Sequence, residues 1–438
     1  MSILRSLNTG ASGLRAHGQA MGATSDNIAN VSTIGFKRSR AVFNDILGRA
    51  IDSAPQSMPM AGSGARVSHI QQMWAQGALL TTDAPTDLAV NGNGFFIVDG
   101  SNAGIEGQWF SRAGQFRVDD EGFLVNPDGL RLQGYTADAT GNLGAALGDL
   151  EVMSGTVPAN PTSEVELAVQ LNSNLAEIAG GPAVNPDDAA TFSGQPISTT
   201  VYDSLGNARE LTVYFQRNAT GYDFEVFANG SDLAGGTADT PTSLGRGALA
   251  FGADGALTGF TDPALSIDFT GGAAAAQAIA LDFGEVAGTG AATGRENTTM
   301  FGFGEDGPNV TAITQDGFSA GTVSGFEVAA DGTIAGVFSN GQRRPLGQVA
   351  LADFTSVDGL ERAGNNLFVA TLDSGEPLVG AAGSGRRGSI VGGALEQSNV
   401  DLGQEFVDLI AYQRGFQASS RVITTADEMY TELVNLKR

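Results

Sequence analysis

Cysteine is missing from all 438 residues, which removes disulfides, thiolate metal sites and cysteine nucleophiles at once. Histidine is almost missing too. His17 and His69 alone argue against an imidazole-based metal centre or triad. No apolar run approaches the roughly 18 residues of a membrane span, so no membrane insertion is expected. The opening "MSILRSLNTGASGLRAHG" lacks the continuous apolar core and cleavage pattern of a secretory signal, which by sequence rules alone points to the cytoplasm. Charge is sparse, at 16% of residues, and lysine occurs only at Lys37 and Lys437.

What charge there is lies heavily on one side. Against 48 acids there are 23 bases, a net of −25, and such a surface does not suit nucleic acid. Residues 1–50 run against the trend, with six basic and two acidic side chains, while residues 151–310 carry four and twenty, a net of −16. That central charge reads as a solvated acidic surface.

Glycine is abundant, at 62 residues. With Asn, Asp, Thr and Val between the glycines, it favours many short strands joined by tight turns. The length asks for more than one core.

The ends are helical in pattern and the middle is not. Ile3, Leu7, Gly10, Leu14, His17, Met21, Thr24 and Ile28 fall on alternating steps of four and three, a heptad seam interrupted by small and polar residues. Leu402, Phe406, Leu409, Phe416, Ile423, Tyr430 and Val434 follow the same steps at the other end. No proline occurs after Pro377, so a helix of about 36 residues can close the chain. Neither stripe has a neighbour in sequence to cover it; the two ends meet each other, or meet copies of themselves.

Between them the period is two. "TDLAVNGNGFFIV" reads as strand, Asn91-Gly92 turn and strand, and "FRVDDEGFLVNPDGLRLQGY" repeats the logic. Residues 151–310 contain a meander centred on Leu205–Asn207, and their "DFTGGAAAAQAIALDFG" reads as a strand pair around a small-residue loop. The layout expected is a terminal helical layer (1–35 and 396–438), an extended linker (36–70), a discontinuous β domain (71–150 and 311–395) and an inserted acidic β domain (151–310). The fold class is mainly β with α-helical termini.

Motifs for chemistry fail on inspection. "VNGNGFF" has no third glycine and no helix after it to cradle a phosphate. "VDDEGFLVNPDG" lacks the spacing of a calcium loop, and turn chemistry explains its acids. No catalytic residue, metal site or cofactor is expected.

The most distinctive local stretch is "SDNIANVSTIGFKRSR", residues 25–40. Asn27 and Asn30 suit a helix end, Gly35 permits a change of direction, Phe36 can anchor the emerging chain, and Lys37 begins a basic cluster. The stretch reads as a joint between helix and linker.

This stretch, with "TDLAVNGNGFFIV", "FSRAGQFRVDDEGFLVNPDGLRLQGY" and "GALEQSNVDLGQEFVDLIAYQRGFQASSRVITTADEMYTELVNLKR", resembles the rod-and-hook axial-protein family of the bacterial flagellum. Asp26 and Ser32 stand where that pattern usually has Asn. The length and the inserted segment fit the hook type better than the shorter rod type. The resemblance implies a structural subunit that polymerises with copies of itself into a curved tube, a universal joint carrying torque from rod to filament. It further implies the distal rod, the hook cap and the hook-filament junction proteins as partners, together with the flagellar export apparatus. Export would proceed without a cleaved signal, to an extracellular site on the flagellum, which replaces the cytoplasmic expectation. A distal rod subunit of the same family, and a secreted β-rich adhesin or enzyme, are the alternative readings.

Overall fold

The computed structural model describes residues 3–46, 63–138, 141–153, 156–178, 183–287, 297–302 and 308–435. They fall into two compact units, one of residues 1–154, 323–337 and 343–438, the other of residues 155–322 and 338–342.

In the first unit, helix α1 runs over Ile3–Ala29 and helix α2 over Leu402–Asn435, and the two pack together. Asp401 starts α2 by accepting hydrogen bonds from the N–H groups of Gly403 (2.8 Å) and Gln404 (3.2 Å), a cap worth about 1 kcal/mol. Asn30 ends α1, its amide donating to the Asp26 carbonyl at 2.9 Å.

Strands β1 (Ser39–Asp45) and β2 (Ala65–Gln72) then form an antiparallel hairpin packed on α1. The sequence reading placed these residues in an extended linker. Their alternating Ala41 and Phe43, and Ala65 and Val67, supply the apolar face a hairpin needs once a helix is there to cover it. Residues 47–62 of that linker lie outside the described residues.

Two short strands, β3 (Leu79–Thr81) and β4 (Leu88–Asn91), pair with 394–396 and 389–392. The Asn91-Gly92 turn therefore does not close the hairpin its sequence suggests. β4 pairs with the chain's far end, and β5 (Phe95–Asn102) pairs with β6 (Ile105–Ser111). A dipeptide specifies a turn but not which edge the next strand takes.

β5 is buried on both faces. Phe96 and Val98 join Leu88, Val90, Trp109, Leu132 and Leu351 in one cluster; Phe95 and Ile97 join Phe110, Phe354 and Phe368 in another. Successive side chains point to opposite faces, so one strand feeds two cores.

The second unit has its own core. A five-stranded meander (197–202, 208–217, 221–229, 241–251, 257–261) contributes Val201, Phe215, Phe224 and Leu249. A second sheet centred on 164–172 contributes Leu167, Val169 and Leu171. The small-residue loop at 268–276 does connect an antiparallel strand pair, 265–267 with 277–282.

Candidate functional site

The two helices approach closely because the residues between them are small. A Cβ on Gly10 would lie 2.9 Å from Ile423 Cγ1, one on Gly13 2.7 Å from Ser419 Oγ, and one on Gly415 2.6 Å from the His17 ring. Each glycine costs about 1 kcal/mol of helix propensity relative to alanine. Close packing of the helix pair offsets that cost. Ala16, Ala20, Ala23 and Thr24 of α1, and Ala426 of α2, are buried. The hairpin joins the pair through a ring cluster: Phe43 lies 5.6 Å from His17 and 6.0 Å from Tyr412.

The large apolar residues of the two stripes are placed differently. Leu7, Leu14, Met21 and Ile28 on α1, and Leu409, Phe416 and Ile423 on α2, are half-buried. Ile3 begins α1, and its side chain lies outside the described set. Leu402, Phe406, Tyr430 and Val434 are exposed, Phe406 at 50% and Tyr430 at 53%, and Val407, Ile410, Val422 and Met429 are exposed with them. Among the described residues of the pair, Ala16, Ala20, Ala23 and Ala426 are buried, while the larger apolar residues are half-buried or exposed.

Asn27, Gly35, Phe36 and Lys37 each meet segments distant in the chain, whereas the Asn30 side chain bonds only its neighbours Asp26 and Thr33. The Asn27 amide donates to Ser39 O (2.7 Å) and Glu405 Oε2 (3.0 Å), and Asn27 Oδ1 accepts from Ser39 N–H at 2.8 Å. One side chain thus ties α1, β1 and α2. Gly35 turns the chain at φ +71°, where a Cβ would stand 2.6 Å from Ala113 N; only glycine fits both conditions. Phe36 is buried, with the Arg362 guanidinium 5.5 Å from its ring centre. Lys37 is buried against Glu396 at 2.5 Å. Burial drives the Lys37 ammonium below its usual pKa, and Glu396 opposes that drop.

Sequence reasoning passed over the partners of these residues: Glu396, Glu405, Arg112 and Asn399. Asn399 accepts from Arg38 N–H at 2.7 Å and donates to Met73 O and Ala75 O, both at 2.8 Å. A usable signal existed for Glu396. It is the sole acid between Glu376 and Asp401, and it lies in a strand buried at every position, where an ionised carboxylate needs a cation.

Among the described residues no cluster of acids and histidines suits a metal ion, and no helix is long and apolar enough to cross a membrane. The arrangement can do packing and positioning.

Comparison with known proteins gives four family matches along the chain. They are flagella basal body rod protein over residues 7–37, flagellar hook protein FlgE/F/G D1 domain over 89–178, flagellar basal body protein FlaE D2 domain over 170–318, and flagellar basal body rod FlgEFG protein C-terminal over 391–436. The chain is similar to the flagellar hook protein FlgE of Borreliella burgdorferi, at 36% identity over 99% of this chain and all of that one. It is similar to FlgE of Escherichia coli K12, at 33% over 97% and 98%, and of Salmonella typhimurium, at 32% over 99% and 100%. The crystal structure of Helicobacter pylori flagellar hook protein FlgE2 gives a TM-score of 0.48 at 14% identity, over 71% of this chain and 98% of that one.

Proposed function

Because this chain belongs to the flagellar hook protein family, we propose that it builds the hook through its paired ends, with the exposed apolar face of α2 covered by neighbouring copies. It is a structural subunit of the hook, from a family of self-polymerising structural proteins rather than enzymes. The observation that carries the reading is the contrast on the helix pair. Small residues are buried within the chain, while Phe406, Ile410, Val422, Met429, Tyr430 and Val434 stay exposed. Covering the wet half of one such side chain is worth about 1 kcal/mol, and a polymer repeats that gain in every subunit. The same logic makes Ile3, Leu7, Leu14, Met21, Ile28, Leu402, Leu409, Phe416 and Ile423 assembly residues, and Asn27, Asn30, Gly35, Phe36 and Lys37 the joint.

The division into terminal helices, discontinuous β domain and inserted acidic domain serves a tube in which helices form the inner wall. Such a tube bends while carrying torque, as a universal joint. It meets the distal rod at one end, the cap during growth, and the junction proteins toward the filament. The subunit reaches this extracellular position through the flagellar export apparatus.

The test is electron microscopy of the concentrated protein beside a truncation lacking residues 402–438. Curved tubes from the full chain and none from the truncation support the reading. Tubes from the truncation would remove the helices from the assembly.

A further inference from the structure

The first unit holds a buried charged cluster that assembly through helix faces does not employ. Glu396 Oε1 accepts from Lys37 Nζ at 2.5 Å and from Gly77 N–H at 2.9 Å, and Arg112 Nη1 lies 3.5 Å from Oε2. Solvent reaches neither the Lys37 nor the Glu396 side chain, and Arg112 is 6% exposed. The four groups come from four separate stretches: the joint after α1, the segment between β2 and β3, the residue just past β6, and the last strand before α2. Around them Gly35 N–H donates to Glu396 O at 2.7 Å, Lys37 Nζ to Ala75 O at 3.0 Å, and Arg112 Nη2 to Gly92 O at 2.8 Å.

Stability alone is a poor reason for such a cluster. Two cations share one carboxylate away from water, and well-packed apolar side chains of the same volume commonly hold a fold as well or better. Arg112 Nε is moreover buried without a hydrogen-bond partner, which is itself unfavourable. What apolar packing does not supply is direction, whereas charge-assisted hydrogen bonds act at set distances and angles.

We propose that Glu396 is a positioning residue: by holding Lys37, Arg112 and the Gly77 N–H together, it sets the direction in which α1 and α2 leave the β body, and through that direction the lattice in which copies stack. The last step rests on the assembly reading above; the positioning itself does not. Nearby, Glu405 performs a related task for the helices, accepting from Asn27 and pairing with Arg38 Nη1 at 3.5 Å. Glu396 ties the pair to the body, and Glu405 ties its members to each other.

The test uses the full-length chain and the variants Glu396→Gln and Lys37→Met. Hydrogen exchange is read at residues 35–39 and 73–77, thermal melting is followed in solution, and the helical repeat of the tubes is measured from micrographs. Glu396→Gln is expected to speed exchange at both segments by about tenfold or more and to change the helical repeat. Lys37→Met, which leaves Glu396 its contacts with Arg112 and Gly77, should do the same to a smaller degree, and it carries the test if Glu396→Gln does not fold. A lowered melting temperature with the repeat retained would make Glu396 merely stabilising and overturn the proposal. Unchanged exchange at 35–39 and 73–77 in the variants overturns it as well. If the unaltered chain forms no tubes, the assembly reading fails, and the exchange data still decide the positioning.

Discussion

Lys37 and Glu396 stand 359 positions apart in the chain and meet in its interior at 2.5 Å, with no solvent at either side chain. Because only Lys37 and Lys437 carry amines on their side chains, the burial can be read chemically. An amine-reactive reagent at moderate excess should leave Lys37 unmodified in the native chain and modify it in denaturant, as counted by peptide mass spectrometry. Ready native labelling would mean that the contact opens freely.

Asp203 should contribute to the acid limit of the second unit. Burial by itself would raise its carboxyl pKa. Hydrogen bonds from the Asn207 side chain and backbone, the Leu205 N–H and Arg209 outweigh that and hold it below the ordinary value. Asp316, bonded by Ser163 and Glu164, is lowered in the same way against its burial. A carboxylate with a depressed folded pKa contributes stability above its unfolded value, near 3.9, and loses it as pH falls through the folded one. Chemical denaturation should therefore show the second unit weakening below about pH 4. Asp203→Asn should cost about 1–3 kcal/mol at neutral pH and flatten that acid limb.

Tyr222 should contribute to the opposite limit. Its hydroxyl donates to Asn172 O at 2.6 Å, and burial pushes its pKa up to about 12. The phenol ionises first in the unfolded chain, so its contribution is whole below about pH 10. That contribution is lost between there and about 12. Tyr222→Phe should cost about 1 kcal/mol at neutral pH and soften the alkaline transition. A wild-type transition that Tyr222→Phe leaves unaltered in shape would assign the alkaline limb to other groups.

Glycines of α1 should respond in opposite directions. A Cβ on Gly10 meets α2 at 2.9 Å, whereas one on Gly22 meets nothing within 4 Å. Gly22→Ala should raise helical content by up to ~1 kcal/mol of propensity, and Gly10→Ala should lower it, by circular dichroism during melting. Gly35→Ala should be worse than either, since its φ of +71° costs about 1–2 kcal/mol for any side chain before the clash with Ala113 is counted.

The exposed and half-buried faces of α2 can be separated by charge. Phe406→Asp, on an exposed position, should leave the melting of the isolated chain within ~0.5 kcal/mol and stop tubes from forming. Phe416→Asp, half-buried near Gly18 of α1, should weaken the helix pair as well as assembly. Equal effects of the two on the isolated chain would mean that the faces are not distinct.

Sequence by itself determined the terminal helices and several of the turns and strands between them. The steps of four and three in the terminal stripes, the end of α1 near Asn30, the meander around Leu205–Asn207 and the strand pair around the small-residue loop are local patterns. Local patterns are written in residue spacing and turn chemistry. That α1 ends within the 25–40 stretch, and that Gly35 turns the chain there, was legible for the same reason. Tertiary structure alone decided which strand edge is taken up after the Asn91-Gly92 turn, that residues 39–45 and 65–72 pair, and that the helix pair buries Ala16, Ala20, Ala23 and Ala426 while Phe406, Ile410 and Tyr430 stay exposed. It alone chose Glu396 and Glu405 as the partners of Lys37 and Asn27. A pairing across more than 350 positions depends on where two distant segments are brought by the packing of everything between them, and no spacing rule in the chain encodes that.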